Sequence, residues 1–79
     1  MTREQYLCVK AIHNEVDGLR RDGWGVVSKT HTPEMGLMYY LSHPFRGNMC
    51  VQSNSKLNAF TIYKNGKIVK CQNFQNFGV

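Results

Sequence analysis

The chain has 79 residues, 42% of them hydrophobic and 19% charged, with a formal net charge of +5 at neutral pH. That length holds one domain and no second core, and the composition suits a folded globule rather than a disordered chain. The longest apolar run, Gly36 to Leu41, falls far short of the roughly 20 residues a membrane helix needs.

The segment Met1-Thr2-Arg3-Glu4-Gln5 carries charge where an export signal needs an apolar core, so a cytoplasmic protein is expected. Thr2 and Gln5 have capping-box spacing. Val9, Ile12, Val16 and Leu19 then recur at helical intervals, with Cys8 and Ala11 widening the stripe. The pattern predicts an amphipathic helix over about 3–21. Arg20 and Arg21 suit its last turn, at the negative end of the helix dipole, and Gly23 suits its C-cap.

After Gly23-Trp24-Gly25 the hydrophobic period changes from helical to alternating. Trp24 to Thr30 reads as a first strand and His31 to Met35 as a loop. Gly36 to His43 reads as a second strand, with Leu37, Tyr39 and Leu41 on one face and Met38 and Tyr40 on the other. Pro44 to Asn48 is a turn, Met49 to Ser53 a third strand, and Ser53 to Lys56 a polar loop. Asn58 to Lys64, Asn65-Gly66 and Lys67 to Cys71 form a hairpin about a type I′ turn. An unbroken ladder pairs Lys64 with Lys67, Tyr63 with Ile68, Ile62 with Val69, Thr61 with Lys70 and Phe60 with Cys71. Phe60, Ile62, Val69 and Cys71 would then face the core, leaving Thr61, Tyr63, Ile68 and Lys70 outside. The tail, 72–79, repeats Gln-Asn-Phe. It reads as a strand extension with one Phe tucked in, or as a segment that orders on a partner.

The expected fold is therefore α+β, with one N-terminal helix packed on a four- to five-stranded antiparallel sheet spanning about 24–71. A single helix covers one face of such a sheet and leaves the other open.

Residues 1–22 are neutral in sum, so the whole excess of positive charge belongs to the sheet region. Basic residues interleaved with aromatics suit an acidic protein surface, and they suit single-stranded nucleic acid equally. The expected contact surface is the uncovered sheet face, made by Tyr40, Arg46, Lys56, Tyr63, Lys64, Lys67 and Lys70. An exposed aromatic face would also suit a homodimer.

Cys8, Cys50 and Cys71 are odd in number and lack metal-type spacing, so free thiols are expected, with no metal and no cofactor. No phosphate-binding loop, dinucleotide fingerprint or nucleophile elbow occurs. His31, His43 and Glu34 are the only candidate bases in the sheet region.

Leu19-Arg20-Arg21-Asp22-Gly23-Trp24 and Tyr39-Tyr40-Leu41-Ser42-His43-Pro44 resemble the HicA-type mRNA-cleaving toxins, in which a helix ends at Gly-aromatic and a strand ends in His-Pro. The resemblance covers about a third of the chain and implies RNA as a target. It departs where the family's catalytic His follows a Gly in the second strand, since Gly36 is followed here by Leu37. The hairpin and tail also stand in place of the family's final helix. In size and basic sheet the chain is similar to small accessory proteins of phages and mobile elements, which implies an inhibitor of a host macromolecule. The expected function is a non-catalytic binding or inhibitor protein. RNA or single-stranded nucleic-acid binding, in a divergent HicA-like toxin, is the alternative.

Overall fold

A computed structural model describes residues 2–74. One helix, α1 (Arg3–Arg21), precedes five strands: β1 (Gly25–Thr32), β2 (Gly36–His43), β3 (Gly47–Ser53), β4 (Ala59–Lys64) and β5 (Lys67–Asn73). The strands pair antiparallel in the order β1-β2-β3-β4-β5, a simple meander. The α+β fold expected from the sequence is the fold observed.

Both ends of α1 follow from its sequence. The Thr2 hydroxyl accepts from the Gln5 N–H, and the Gln5 side chain accepts from the Thr2 N–H. At the other end the Trp24 N–H donates to the Leu19 carbonyl and the Gly23 N–H to the Arg20 carbonyl, each at 3.0–3.1 Å. This is a Schellman termination, with Gly23 at φ +98°. It turns the chain sharply and delivers Trp24 to the core edge, where it is buried.

The helix places Cys8, Ile12 and Val16 against Leu37, Tyr39, Leu41, Val51, Phe60 and Ile62. It lies mainly over β3 and β4. Phe74 closes the core at one end. It stacks on Phe60 with ring centroids 6.2 Å apart, and its N–H donates to the Asn58 carbonyl at 2.7 Å. That accounts for one Phe of the tail; residues 75–79, and a partner-ordered tail with them, lie outside the described residues.

Two sequence expectations need correction. His31 and Thr32 belong to β1 rather than to a loop, because β1 stays paired with β2 as far as Thr32 opposite Gly36. The strand extension expected at the start of the tail is present: β5 runs to Asn73, because Gln72 and Asn73 pair with Phe60 and Ala59.

The second correction concerns the β4–β5 ladder. Lys64–Lys67 and Tyr63–Ile68 pair as expected, after which a bulge at Val69 shifts the register by one. Ile62 then faces Lys70 and Thr61 faces Cys71. Val69 and Cys71 are exposed rather than in the core, and Lys70 moves to the helix side, where it ion-pairs with Glu15. The reason is reach. Strand β5 lies at the sheet edge, beyond the strip the helix covers, so an inward Val69 would gain little burial there. The shifted register gives Lys70 a carboxylate instead.

Candidate functional site

Strand alternation decides which face each candidate occupies. Met49, Val51 and Ser53 point to the helix side, and they pair with Lys64, Ile62 and Phe60 in an unbroken β3–β4 register. Lys64 therefore lies on the helix side of the sheet, with Lys67 opposite it. The uncovered face carries Met38, Tyr40, Cys50, Gln52, Thr61, Tyr63, Ile68 and Cys71. This corrects the expectation that the lysines gather on the uncovered face: Tyr40 and Tyr63 are there, but Lys64, Lys67 and Lys70 are not.

The cations collect instead at one end of the sheet. The Gln5 amide of α1 donates to the Lys56 carbonyl, which fixes the helix N-terminus over the β3–β4 loop. The C-terminus of α1 therefore lies toward the β2–β3 and β4–β5 turns. That turn end holds Arg20, Arg21, Arg46, Lys64 and Lys67 against Asp17 and Asp22. The opposite, loop end holds Arg3 and Lys56 against Glu4 and Glu34. Lys56 is thus separated from Arg46, Lys64 and Lys67, and Lys70 is engaged by Glu15.

Asn65 locks the two turns together. Its N–H donates to the Asn48 carbonyl, its side-chain oxygen accepts from the Asn48 N–H, both at 3.0 Å, and its amide reaches the Arg46 carbonyl. Gly47 is required beside it, since a Cβ there would lie 2.3 Å from Asn65 Oδ1 and the backbone is at φ +99°. The same contacts bring the backbone at Arg46 against the β4–β5 turn, which Lys64 and Lys67 flank.

At the tip of the β2–β3 turn stands Phe45, 91% exposed. Its backbone is tied to the strand before it. Its N–H donates to His43 Nδ1 at 3.1 Å, and the His43 ring lies between Trp24 and Phe45, at 5.3 and 6.2 Å. The exposure of Phe45 is foreshadowed in His43-Pro44-Phe45-Arg46, where an apolar residue sits inside a polar turn.

The uncovered face holds a shallow groove of about 350 Å³ between Tyr40 and Tyr63, which Cys50 and Gln52 also line. Tyr40 is 46% exposed. Burial pushes the Cys50 thiol above its ordinary pKa and pushes that of Cys8 up to about 11. Neither is poised as a thiolate nucleophile near neutral pH. Among the described residues no three His, Cys, Asp or Glu side chains gather to hold a metal ion, and no helix is long and apolar enough to cross a membrane. Comparison with protein-family models, curated protein sequences and solved structures gave no match to this chain.

Proposed function

We propose that this chain is a non-catalytic binding protein that inhibits a partner protein by covering an acidic surface with the turn end. The observation that carries this is Phe45, 91% exposed on a turn whose backbone bonds to His43, at the end where Asn65 ties the turn bearing Arg46 to the turn flanked by Lys64 and Lys67. An exposed Phe forgoes roughly 1.5–3 kcal/mol of burial, so it contributes nothing to folding where it stands. An aromatic ring among cations is what a hot spot on an acidic partner needs: charge speeds encounter, and the ring fills a pocket.

Nucleic-acid binding is the second reading, favoured by Tyr40 and Tyr63 on the open face. Bases stacked on those rings would run their phosphates past Gln52 and Thr61 rather than past lysines. Single-strand platforms keep rings and cations in one groove. Here the two are on different surfaces, which favours a protein partner.

The experiment is affinity capture from lysate with and without nuclease, using the wild type and a Phe45→Ala, Arg46→Glu, Lys64→Glu variant. The proposal expects a nuclease-resistant protein partner, lost with the variant while the variant's circular dichroism stays native. Capture that nuclease abolishes would move the function to nucleic acid. A partner retained by the folded variant would remove the turn end.

A further inference from the structure

A second surface is built along β1, away from the turn tip. β1 is an edge strand: its one neighbour in the sheet is β2. Its residues are exposed from Gly25 to His31, because α1 lies over β3 and β4 and leaves this side bare. A bulge at Val27 interrupts the ladder near its start, and from Ser28 to Thr32 the strand is regular.

Between this bare strand and the flank of α1 runs an open cleft of about 790 Å³. His13, Asp17 and Arg20 line it from the helix, at spacings that put all three on one face. Lys29 lines it from β1, and Trp24 and Tyr39 form its floor. The Lys29 ammonium lies 5.5 Å from the centre of the Tyr39 ring, and the His13 ring meets the same tyrosine edge-on at 6.1 Å. Neither Lys29 nor Arg20 has a carboxylate within ion-pair distance; among the described residues the pair Lys70–Glu15 has that contact. Two exposed cations and a histidine thus face one carboxylate across a cleft whose lip is an unpaired strand.

We infer that β1 accepts an extended acidic segment of a partner protein as a sixth strand. Backbone hydrogen bonds would run along Ser28 to Thr32, with inward Glu or Asp side chains reaching Lys29, Arg20 and His13. Strand addition supplies affinity through the main chain and specificity through alternate side chains. The charge of the cleft selects acidic residues at those alternate positions. A second copy of this chain fits poorly, because two β1 strands pairing about a two-fold axis would bring Lys29 and Arg20 of one copy toward those of the other. The opposite edge is a weaker acceptor: the Val69 bulge breaks β5, and Lys70 is already paired with Glu15. This inference goes beyond the turn-end reading: it stands on β1, Lys29 and His13 and shares Arg20 with that end, so the two are told apart by amide exchange along β1 and by the N-methylated peptide.

The probe is a capped peptide of about nine residues alternating Glu with Val, a period that presents every carboxylate to one side of a strand. Trp24, the chain's single tryptophan, lines the cleft and reports occupancy by fluorescence. The expected result is a saturable change in Trp24 emission, with amide exchange slowed at Ser28 to Thr32. Affinity should fall by about ten-fold or more in an Arg20→Glu, Lys29→Glu variant, both side chains being exposed so that the fold survives. It should fall as far for a peptide N-methylated at successive residues, which keeps every charge and blocks both hydrogen-bonding edges of the strand. Equal binding of the N-methylated peptide would reduce the site to charge attraction and overturn the inference. So would an unchanged affinity of the double variant, protection of β5 in place of β1, or tighter binding of an oligouridylate of equal charge. A concentration-dependent dimer with β1 amides protected in the absence of peptide would assign the edge to a second copy instead. Loss of peptide binding with lysate capture intact would leave the turn-end reading standing.

Discussion

The two ends of the sheet are built from the same materials to opposite purposes. At the loop end, apolar and polar groups turn inward. Ser53, 3% exposed, accepts from the Leu37 N–H at 2.8 Å and donates to the Asn54 carbonyl at 2.9 Å. Asn54 and Asn58 tie the loop to itself, and Phe74 folds over Phe60. At the turn end the corresponding aromatic, Phe45, points outward, and the hydrogen bonds of Asn65 and His43 fasten turns whose side chains reach away from the core. The loop end is organised for stability. The turn end is organised to present side chains.

That contrast can be broken most sharply with its two phenylalanines. Phe74→Ala should cost about 3 kcal/mol, within the range for a buried Phe, while Phe45→Ala should stay within about 0.5 kcal/mol. Urea unfolding of the two variants measures the difference. Similar midpoints would erase the distinction between the ends.

Two glycines sharpen it further. A Cβ at Gly36 would lie 2.2 Å from the Asn54 carbonyl oxygen, with φ at +79°, so the obstacle is backbone. At Gly47, with φ at +99°, the obstacle is the Asn65 side chain, which can move only by releasing Asn48 and Arg46. Gly36→Ala should therefore destabilise by about 3 kcal/mol, and Gly47→Ala by about 1–2 kcal/mol. Thermal unfolding of the pair tests the order, since each kcal/mol moves the midpoint of a domain this size by roughly 4–8 °C.

Asn65→Ala removes the fastening of the two turns and leaves the Asn48 N–H without its partner. A loss of about 1–2 kcal/mol is expected. Amide exchange at Asn48 should rise while that at Leu37 does not. Lys70→Ala should be the mildest change, under about 1 kcal/mol, because its pair with Glu15 is largely solvent-exposed.

Cys8 gives a pH test of the core itself. The unfolded thiol ionises near 9, whereas burial holds the folded one protonated to about 11. The unfolded state thus sheds its proton first, and stability falls as pH rises through that window. The fall should be shallower in Cys8→Ala. Identical pH profiles would mean that the thiol is solvated in the folded protein.

Much of this fold is legible in the sequence, for reasons that can be named. The helix from Arg3 to Arg21 carries both of its terminal signals, Thr2 with Gln5 and Gly23 with Trp24. Strand β2, Gly36–His43, begins at a glycine and is followed by a proline, and Asn65-Gly66 sets its own turn, with both residues at positive φ. The bulges are not legible. A period of two assigns faces only while a strand is unbroken, and one extra residue at Val69 reverses every later side chain. Lys70, Cys71 and Val69 were misplaced for that reason alone.

The gathering of Arg46, Lys64 and Lys67 needed strand order as well as alternation. In a meander alternate turns share an end, so the β2–β3 and β4–β5 turns meet, and Lys56 falls at the other end with the β3–β4 loop. Alternation along one strand carries no such information. The exposed flank of β1 depends on where the helix crosses the sheet, which no local pattern records.

The central claim is that function resides at the turn end. It is tested most directly by measuring the affinity of the captured partner for the wild type, for Phe45→Ala and for a loop-end control, Lys56→Glu. The account predicts that Phe45→Ala weakens binding about 30-fold or more, the loss expected of an anchoring aromatic, while Lys56→Glu changes it less than about two-fold. Equal losses in both variants, or a larger loss in Lys56→Glu, would contradict it.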